Sequence, residues 1–465
     1  MSPTTFDPFM PALAIAAAVR ERSLSALEVT EASLDRIERL DAEYGAFSTP
    51  LPESALAEAR AVDLRVASGD PLSLAGVPVA VKDHIWVAGA PATNGSRLLA
   101  DHVPTEDCAA VRRLREAGAV IIGKTNNPEF CYRGDTVSPL YGTTRNPYAP
   151  ERTPGGSSGG SAVAVATGMT PLALGTDAAG SIRCPATFCG IVGYKPTHGL
   201  VPTRPGFRGW PTLSVHGPMG RNVADVAAAL SVLAGPDGSD LSSIPAAGPP
   251  FGLPLDGLDY LSGLRVAFSW DLGFARVADE VRDGFGEALS TIGALGVRLH
   301  EAHPTVSEDV VALWLSIGDP ERHASEGPLL SRAEEMTERS VRALRRGEGT
   351  SARDYLDAQH RREEFSREWE DFLTEFDVLV YPGEPILPFA LDESDRIHAE
   401  TTFWEMDMVA NLTKQPAVSL PCGMSNGLPV GLQVLARRHG DAKLLRAAAA
   451  IERHLSAPSL RDSWS

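Results

Sequence analysis

The sequence predicts an α/β protein in which one large mixed β-sheet carries helices on both faces. Three features predict this class: short β-branched runs recur along the chain, helical stretches separate them, and loops rich in Gly and Pro join them. The 465 residues are 43% hydrophobic and include 43 Gly and 36 Pro, which suits a loop-rich protein with a sizeable core. No internal repeat is visible, so we expect residues 1–465 to form a single domain.

The N-terminal part, about residues 8–67, is predicted to form packing helices. Apolar residues three or seven positions apart support this prediction, namely Leu24, Leu27, Leu34, Ile37 and Leu40. The apolar stretch at 10–19 is short and follows an acidic residue, so it is predicted as an amphipathic helix and not as a signal peptide. No run approaches the roughly 18 apolar residues of a membrane span, so we expect a soluble protein.

The central part, about residues 74–235, has the pattern of the core of the sheet. A β-branched run at 77–81 predicts a buried strand that ends at Lys82 and Asp83, and a charged pair at a strand end is a candidate site. The elements predicted after it are a helix at about 108–117, a strand at 119–122, a Gly-rich loop at 153–161 and an apolar strand or helix at 162–166.

A linker is predicted at about residues 236–260, where Gly, Pro and Ser are dense. Residues 261–465 are expected to complete the same body. The elements predicted there are a strand at 264–268, a charged helical region at 332–376 and a strand at 377–381 that Pro382 ends.

The charge and the cysteine content exclude several classes of partner. The formal net charge of −18 repels phosphate backbones and anionic lipid, so we expect neither nucleic acid nor a membrane as a partner. The five Cys are odd in number and lack paired CxxC spacing, which predicts free thiols and a cytoplasmic protein. No ligand spacing such as HExxH occurs, so no metal is predicted.

Residues 118–125, GAVIIGKT, match the phosphate-binding pattern GxxxxGK[ST]. A phosphate-binding loop turns successive N–H groups inward, whereas Val120, Ile121 and Ile122 favour an extended buried strand. We therefore expect a core strand followed by a polar turn, and no nucleotide cofactor.

Residues 155–159, GGSSG, match the nucleophile elbow GxSxG, which would make Ser157 the nucleophile of an α/β-hydrolase esterase. That motif requires a strand directly before it. The preceding segment at 145–154 contains three prolines and cannot form a central strand. Downstream histidines such as His198 and His216 keep this alternative open.

Three segments carry the functional prediction: GVPVAVKD at 76–83, GGSSGGS at 155–161 and GTDAAGSIRCPA at 175–186. In this order they resemble the amidase signature family. Further family-like stretches, among them GIVGYKPTHGLVP and PAVSLPCGMSNGLPVGLQVLA, extend the resemblance over nearly the whole chain. The resemblance implies the amidase signature fold and the hydrolysis of an amide.

By this resemblance Ser181 is the nucleophile, Ser157 is a bridging serine after a cis peptide bond, and Lys82 is the base. The chemistry can also be argued from the residues. A serine hydroxyl needs an adjacent base, and a lysine can serve when burial lowers its pKa from about 10.4 so that it is neutral. Lys82 follows an apolar strand, where burial is expected. Ser157 would then pass the proton from Ser181 to Lys82.

The resemblance assigns the oxyanion hole to the backbone N–H groups of four residues, which are Ala178, Ala179, Gly180 and Ser181. Ala178 and Ala179 stand where Thr or Gly is frequent in the family, and a left-handed backbone at position 179 would strain the hole. Ser158, Asp177 and Arg183 are expected to surround this loop, the last two as an ion pair that fixes it.

Contacts to the substrate are predicted at aromatic side chains and at His84. Phe130 and Tyr132 are the first candidates, although aromatic residues are more often plain core. The other candidates for an apolar acyl pocket are Trp210, Trp314 and Trp404. His84 either touches the substrate or is a partly buried histidine without a role in the reaction. Lys414 and Gln415 depart from the family pattern, and the sequence leaves their role open.

The predicted reaction converts a small-molecule amide to a carboxylate and ammonia or an amine, through an acyl-enzyme on Ser181 and without a cofactor. The alternative within the family is the glutamine-hydrolysing component of a tRNA-dependent amidotransferase, which would require partner subunits. The identity of the amide, cleavage of esters and a homodimeric state are left open by the sequence.

Overall fold

The computed structural model describes residues 6–246, 251, 258–400 and 403–461. The strands in chain order are β1 (Phe47–Pro50), β2 (Pro78–Lys82), β3 (Val120–Thr125), β4 (Val137–Ser138), β5 (Gly142–Thr143), β6 (Leu172–Asp177), β7 (Val192–Lys195), β8 (Val215–Gly220), β9 (Val266–Phe268), β10 (Leu299–Glu301), β11 (Val378–Pro382), β12 (Ala417–Ser425) and β13 (Leu428–Ala436).

The α-helices of the described residues lie before, between and after these strands along the chain. They are α1 (Ala12–Arg20), α2 (Ala26–Tyr44), α3 (Pro52–Ala67), α4 (Ala109–Glu116), α5 (Gly159–Ala166), α6 (Arg183–Phe188), α7 (Val223–Leu233), α8 (Leu258–Ser262), α9 (Asp279–Ala294), α10 (Val310–Glu326), α11 (Glu338–Arg346), α12 (Ala352–Glu375), α13 (Ser394–Glu400), α14 (Glu405–Leu412) and α15 (Asp441–Glu452).

Capping boxes mark the first turns of the two longest of these helices, α2 and α12. The side chain of Ser25 accepts from the N–H of Glu28 while the Glu28 carboxylate accepts from the N–H of Ser25, and Ser351 and Asp354 form the same pair at the start of α12. Each pair satisfies N–H groups that the first helical turn leaves without partners. The beginnings of α2 and α12 are therefore encoded locally.

An eleven-stranded sheet forms the centre of the protein, with the order β1-β3-β2-β6-β8-β7-β12-β13-β11-β9-β10. Strand β2 lies between β3 and β6 and is parallel to both. The pairs from β6 to β11 are antiparallel, and β11, β9 and β10 are parallel. The sheet is therefore mixed, as the sequence predicted.

Helices cover both faces of this sheet, which confirms the predicted fold class. In β11, Val378 and Val380 belong to one hydrophobic cluster, which includes side chains of α7, α9 and α15. The alternate residues Leu379 and Tyr381 belong to a second cluster with side chains of α10, α12 and α14. Because successive side chains of a strand point to opposite faces, the two clusters lie on opposite sides of the sheet at β11.

The predicted strands at 77–81, 119–122, 264–268 and 377–381 correspond to β2, β3, β9 and β11, and the predicted helix at 108–117 is α4. The segment at 162–166 is helical and belongs to α5. In the region 332–376, a 3-10 helix (Gly327–Glu335) precedes α11 and α12.

Part of the predicted linker, residues 247–250 and 252–257, lies outside the described residues. Strands from before and after the linker share one sheet. We therefore propose that the chain is one domain with the boundaries predicted above.

The phosphate-binding pattern at 118–125 is part of the sheet. Its residues from Val120 onward form β3, and the buried amino group of Lys124 donates to the carbonyl oxygens of Asp83 and Pro91, both at 3.1 Å. No phosphate-binding loop exists at this segment, all of which is described. Within the described ranges, no helix is both long enough and apolar enough to span a membrane.

Candidate active site

Two polar strand ends meet at one edge of the sheet. Lys82 is the last residue of β2 and Asp177 is the last residue of β6, and the two strands are parallel neighbours. The carboxyl ends of adjacent parallel strands open onto the same edge, which is where α/β proteins place their sites. Both side chains are fully buried there.

Three hydroxyl groups surround the amino group of Lys82. The nitrogen lies 2.7 Å from Ser157 Oγ, 3.0 Å from Ser158 Oγ and 2.8 Å from Thr176 Oγ1. The two serines occupy the turn before α5, and the peptide bond between Gly156 and Ser157 is cis. Because none of these hydroxyl groups is charged, Lys82 can donate a proton to them or accept one without breaking an ion pair.

The pKa of Lys82 is lowered from its usual value, and burial of the side chain is the main cause. Interactions with Cys131, Asp177 and Asp83 act in the opposite direction and offset part of this effect. Removal from water disfavours the ammonium form, so the neutral amine becomes accessible at a lower pH than for an ordinary lysine.

Cys131 is a member of this group that sequence reasoning did not identify. Its thiol contacts Lys82 and Ser157 and lies 3.5 Å from Asn94 Oδ1. Burial raises the pKa of this thiol, while Lys82 and Ser157 lower it by a smaller amount. Cys131 lies on a non-helical turn with φ of 58°, and no pattern in the sequence marks that turn.

Ser181 lies in the short loop between β6 and α6 and lines a cavity of about 770 Å³. Its carbonyl oxygen accepts from the N–H of Ser158 at 3.1 Å, which ties the two serine segments together. Between the hydroxyl groups of Ser157 and Ser181, both of them described, there is no direct hydrogen bond. The structure thus brings Lys82, Ser157 and Ser181 to one site, with Ser181 facing the open side.

The carboxylate of Asp177 holds the loop that carries Ser181. It accepts from the N–H of Gly180 at 2.9 Å and from the N–H of Ile182 at 3.2 Å, and both of its oxygens pair with Arg183 at 3.0 Å. Arg183 also lowers the pKa of Asp177 to about 2 against the opposing effect of burial, so the carboxylate stays charged.

This arrangement corrects the predicted set of oxyanion donors. The N–H of Gly180 is directed to Asp177, because the carboxylate closes a tight turn over residues 177–180. The candidate donors are then the N–H groups of Ala178, Ala179 and Ser181. Neither alanine has a positive φ, whereas Gly180 has a φ of 96°, so the strain considered for position 179 does not arise.

The buried guanidinium of Arg183 extends the network to the C-terminal part of the chain. It donates to Gln433 Oε1 at 3.0 Å and to Asn411 Oδ1 at 2.8 Å, and it pairs with Asp407 Oδ1 at 3.0 Å. Helix α14 and strand β13 are therefore anchored directly behind the Ser181 loop.

Aromatic side chains form one wall of the cavity beside Ser181. Tyr132 stacks on Trp210 with ring centroids 6.0 Å apart, and the ring centroids of Trp210 and Trp314 are also 6.0 Å apart. The indole N–H of Trp314 donates to the carbonyl of Ala178 at 2.9 Å, so this wall is tied to the Ser181 loop. Trp404 also lines the cavity.

Two of the predicted substrate contacts lie away from this cavity. Phe130 is 1% exposed and packs in a small cluster with Leu98, Met336 and Leu344. His84 is buried, its ring lies 2.9 Å from Asn94 Oδ1, and burial lowers its pKa to about 4. Neither belongs to the cavity lining, whereas Tyr132 does.

Lys414 and Gln415, the two residues that depart from the family pattern, lie outside the cavity. Lys414 has a φ of 60°, the left-handed conformation that glycine adopts most easily. Gln415 is buried and donates to Glu370 Oε1 at 2.8 Å. Neither lines the cavity.

The geometry gives less support to three other kinds of site: a nucleophile elbow at Ser157, a cysteine nucleophile and a metal site. No strand directly precedes Ser157, where the chain forms only an isolated bridge at Arg152, so a nucleophile elbow is absent from this described segment. Burial raises the pKa of the Cys184 and Cys189 thiols, which disfavours the reactive thiolate. No cluster of metal-ligand residues occurs within the described ranges.

Comparison with known proteins identifies the family. The chain matches the family described as Amidase over residues 28–445, which is most of its length. It therefore belongs to the amidase signature family, and it is an enzyme that hydrolyses the C–N bond of amides.

Two curated relatives and one solved structure illustrate the match. An acylamidase of Rhodococcus erythropolis is 35% identical, covering 96% of this chain and 95% of that protein. A glutamyl-tRNA(Gln) amidotransferase subunit of Gloeobacter violaceus is 37% identical, covering 95% of this chain and 96% of that protein. The crystal structure of a bacterial aryl acylamidase of the same family superposes with a TM-score of 0.88 at 27% identity, covering 96% of both chains.

Proposed function

We propose that the chain is a stand-alone serine amidase that cleaves an amide with an aromatic or apolar group, using Ser181 as the nucleophile, Ser157 as a proton relay and Lys82 as the base. The observation that carries the proposal is the contact of the buried Lys82 amino group with the Ser157 hydroxyl at 2.7 Å, beside the cavity that Ser181 lines. Each step can be argued from the local geometry.

Lys82 suits the role of base because burial favours its neutral form. A neutral amine accepts the proton of Ser157 across the 2.7 Å contact, while Ser158 and Thr176 accept its two remaining N–H groups. Once protonated, the ammonium has three hydroxyl oxygens as acceptors. Proton transfer therefore needs no rearrangement around Lys82.

Ser157 carries the proton between the nucleophile and the base. As Lys82 takes the Ser157 proton, Ser157 takes the proton of Ser181, whose oxygen bonds to the substrate carbonyl carbon. The Ser181 hydroxyl must turn toward Ser157 for this step, and hydrogen bonds of an empty site commonly tighten only when substrate is bound. The same chain then returns the proton to the departing amine, and water releases the acyl group.

The negative charge that develops on the carbonyl oxygen needs fixed donors. The N–H groups of Ala178, Ala179 and Ser181 are proposed for this role, because Asp177 holds that of Gly180. The indole of Trp314 holds the Ala178 carbonyl at 2.9 Å and thus orients this turn. The donors are therefore set before substrate binds.

The preference for an aromatic or apolar substrate rests on the cavity wall of Tyr132, Trp210, Trp314 and Trp404. Such rings offer a large apolar surface and suit flat or aliphatic groups. The 35% identical acylamidase of Rhodococcus erythropolis and the similar aryl acylamidase structure support the same class of substrate.

A second candidate function is that of the glutamine-hydrolysing component of an amidotransferase, which the 37% identity to such a protein favours. Glutamine carries an ammonium and a carboxylate that a site must neutralise. The carboxylates that line the cavity and could bind the ammonium are Glu338, which is exposed, and Asp395, which pairs with Arg133 and Arg339 and has a side chain that is 83% exposed. We favour the stand-alone amidase for this reason.

The test is turnover by the purified chain alone on a panel of acyl anilides, aliphatic amides and glutamine, with Ser181→Ala as the control. We expect hydrolysis of anilides or apolar amides by the wild-type chain, as a monomer or homodimer, and none by the variant. Turnover of glutamine alone, or activity that requires added amidotransferase subunits, would support the second candidate instead.

A further inference from the structure

Two carboxyl groups that the proposed mechanism does not use lie buried behind the Ser181 loop. Glu384 follows β11 and is 2% exposed, and Asp407 in α14 is 1% exposed. They are close enough for their side chains to share a hydrogen bond. Both belong to the part of the chain that closes the site from the C-terminal side.

The hydrogen-bond pattern of this pair is incomplete if both groups are ionised. Asp407 Oδ1 accepts from Gln433 Nε2 at 2.6 Å and pairs with Arg183 at 3.0 Å, but Asp407 Oδ2 has no donor among the described residues. The carboxyl group of Glu384 contacts the weakly donating thiol of Cys184 and has no N–H or hydroxyl donor among the described residues. Two buried carboxylates in contact would repel each other strongly, so a proton between them is the arrangement that satisfies both.

The oxygen of Asp407 that lacks a donor points at the nucleophile loop. A Cβ added to Gly180 would overlap Asp407 Oδ2, so the carboxylate packs directly against the backbone beside Ser181. The main-chain carbonyl of Asp407 also accepts from Arg183 at 2.9 Å. Any shift of Asp407 would therefore move the turn that contains the proposed oxyanion donors.

We propose that Glu384 is held as a neutral carboxylic acid that donates its proton to Asp407, and that this hydrogen bond fixes the loop over residues 178–181 and limits negative charge beside it. Glu384 is thus a positioning residue, and its effect on turnover rests on the proposed function of Ser181. If Glu384 were also ionised, its negative charge beside the loop would destabilise the negative charge that forms on the substrate oxygen.

The surroundings of the pair favour a single bound proton. The charged and titratable groups that face it are Arg183 and Cys184 of α6, Asp177 at the end of β6, and Tyr381 of β11. Burial raises the pKa of Glu384 well above its usual value, and the adjacent Asp407 raises it further, while Arg183 opposes both effects. Burial also raises the pKa of Cys184 and of Tyr381, which favours the neutral form of both.

Infrared spectroscopy tests the proton directly and does not depend on activity. At about pH 9 carboxyl groups of ordinary pKa are ionised, so the C=O band of a protonated acid reports only strongly perturbed groups. We expect this band in the wild-type protein and its loss in Glu384→Gln. Glu452→Gln is the matched control, because Glu452 is a carboxyl far along the chain whose pKa burial raises only to about 7. An unchanged band in Glu384→Gln would overturn the proposal.

Kinetics test the positioning role. The proposal predicts that kcat/KM of the wild-type enzyme declines at alkaline pH as Glu384 ionises. Glutamine can donate its amide N–H to Asp407 at any pH, so Glu384→Gln should keep kcat/KM within about tenfold at neutral pH and should not show this decline. Glu384→Leu removes the donor and should lower kcat by about 10- to 100-fold. An identical alkaline decline in wild type and Glu384→Gln, in folded protein, would contradict the role. Labelling of Ser181 by a fluorophosphonate separately tests the proposed function.

Discussion

The hydroxyl of Thr176 offers a direct way to change the proposed base without touching the relay or the nucleophile. Its Oγ1 accepts from Lys82 Nζ at 2.8 Å, and Thr176→Val removes this acceptor at nearly constant volume. A hydrogen bond to a charged group contributes about 1.5–3 kcal/mol, and one pKa unit corresponds to about 1.4 kcal/mol. The loss of this hydrogen bond destabilises the ammonium form of Lys82 more than the neutral amine. The pKa of Lys82 should therefore fall further, by about one to two units.

The assay is kcat/KM for an acyl anilide measured from about pH 5 to 10. The activity rises with pH as Lys82 loses its proton, so a lower pKa moves the midpoint of this rise to lower pH. Thr170→Val is the matched control, because Thr170 is equally buried and its hydroxyl donates to the carbonyls of Pro78 and Leu172, both at 2.8 Å. The account is refuted if Thr176→Val leaves the midpoint unchanged or raises it.

Three further substitutions probe the relay, the loop and the cavity. Ser157→Ala should lower kcat by about 100- to 10,000-fold in the same assay and leave a residual activity, and wild-type turnover would contradict the relay. Gly180→Ala should abolish activity and lower the Tm, because the φ of Gly180 is 96° and an added Cβ would overlap the carboxylate of Asp407 in α14. Gly349→Ala is the control: its φ is 80° but the space around it is open, so the change should lower the free energy of unfolding by about 1 kcal/mol and keep activity. Trp314→Ala should raise KM for anilides by about tenfold or more, and Trp270→Ala, outside the cavity, should leave KM unchanged.

The residues of the proposed triad could be predicted from the sequence because three segments resemble the amidase signature family, and local patterns account for where two of those segments lie in the fold. The β-branched run at 77–81 ends at Lys82, and β6 ends at Asp177, so two parallel strands bring both groups to one edge. The glycines around Ser157 and Ser158 mark the turn before α5. The strand at 77–81 and the Gly-rich turn follow from local sequence patterns, whereas β6 is not among the predicted strands.

Other features of the site depend on packing between distant segments. Glu384 and Asp407 lie far from Ser181 in sequence and meet its loop only through α14 and the end of β11. Phe130 was predicted at the substrate, but Phe130 and Cys131 both have positive φ, which breaks the alternation of side chains and turns Cys131 toward Lys82. No periodicity indicates such a turn.

Labelling with a fluorophosphonate, followed by intact-protein mass spectrometry and mapping of the adduct, tests the central claim most directly. The account predicts one adduct on Ser181 of the wild-type chain, none in Ser181→Ala, and much slower labelling in Lys82→Ala, because the base then no longer removes the proton. An adduct on Ser157, or no adduct on Ser181 in folded protein that hydrolyses amides, would contradict the assignment of Ser181 as the nucleophile.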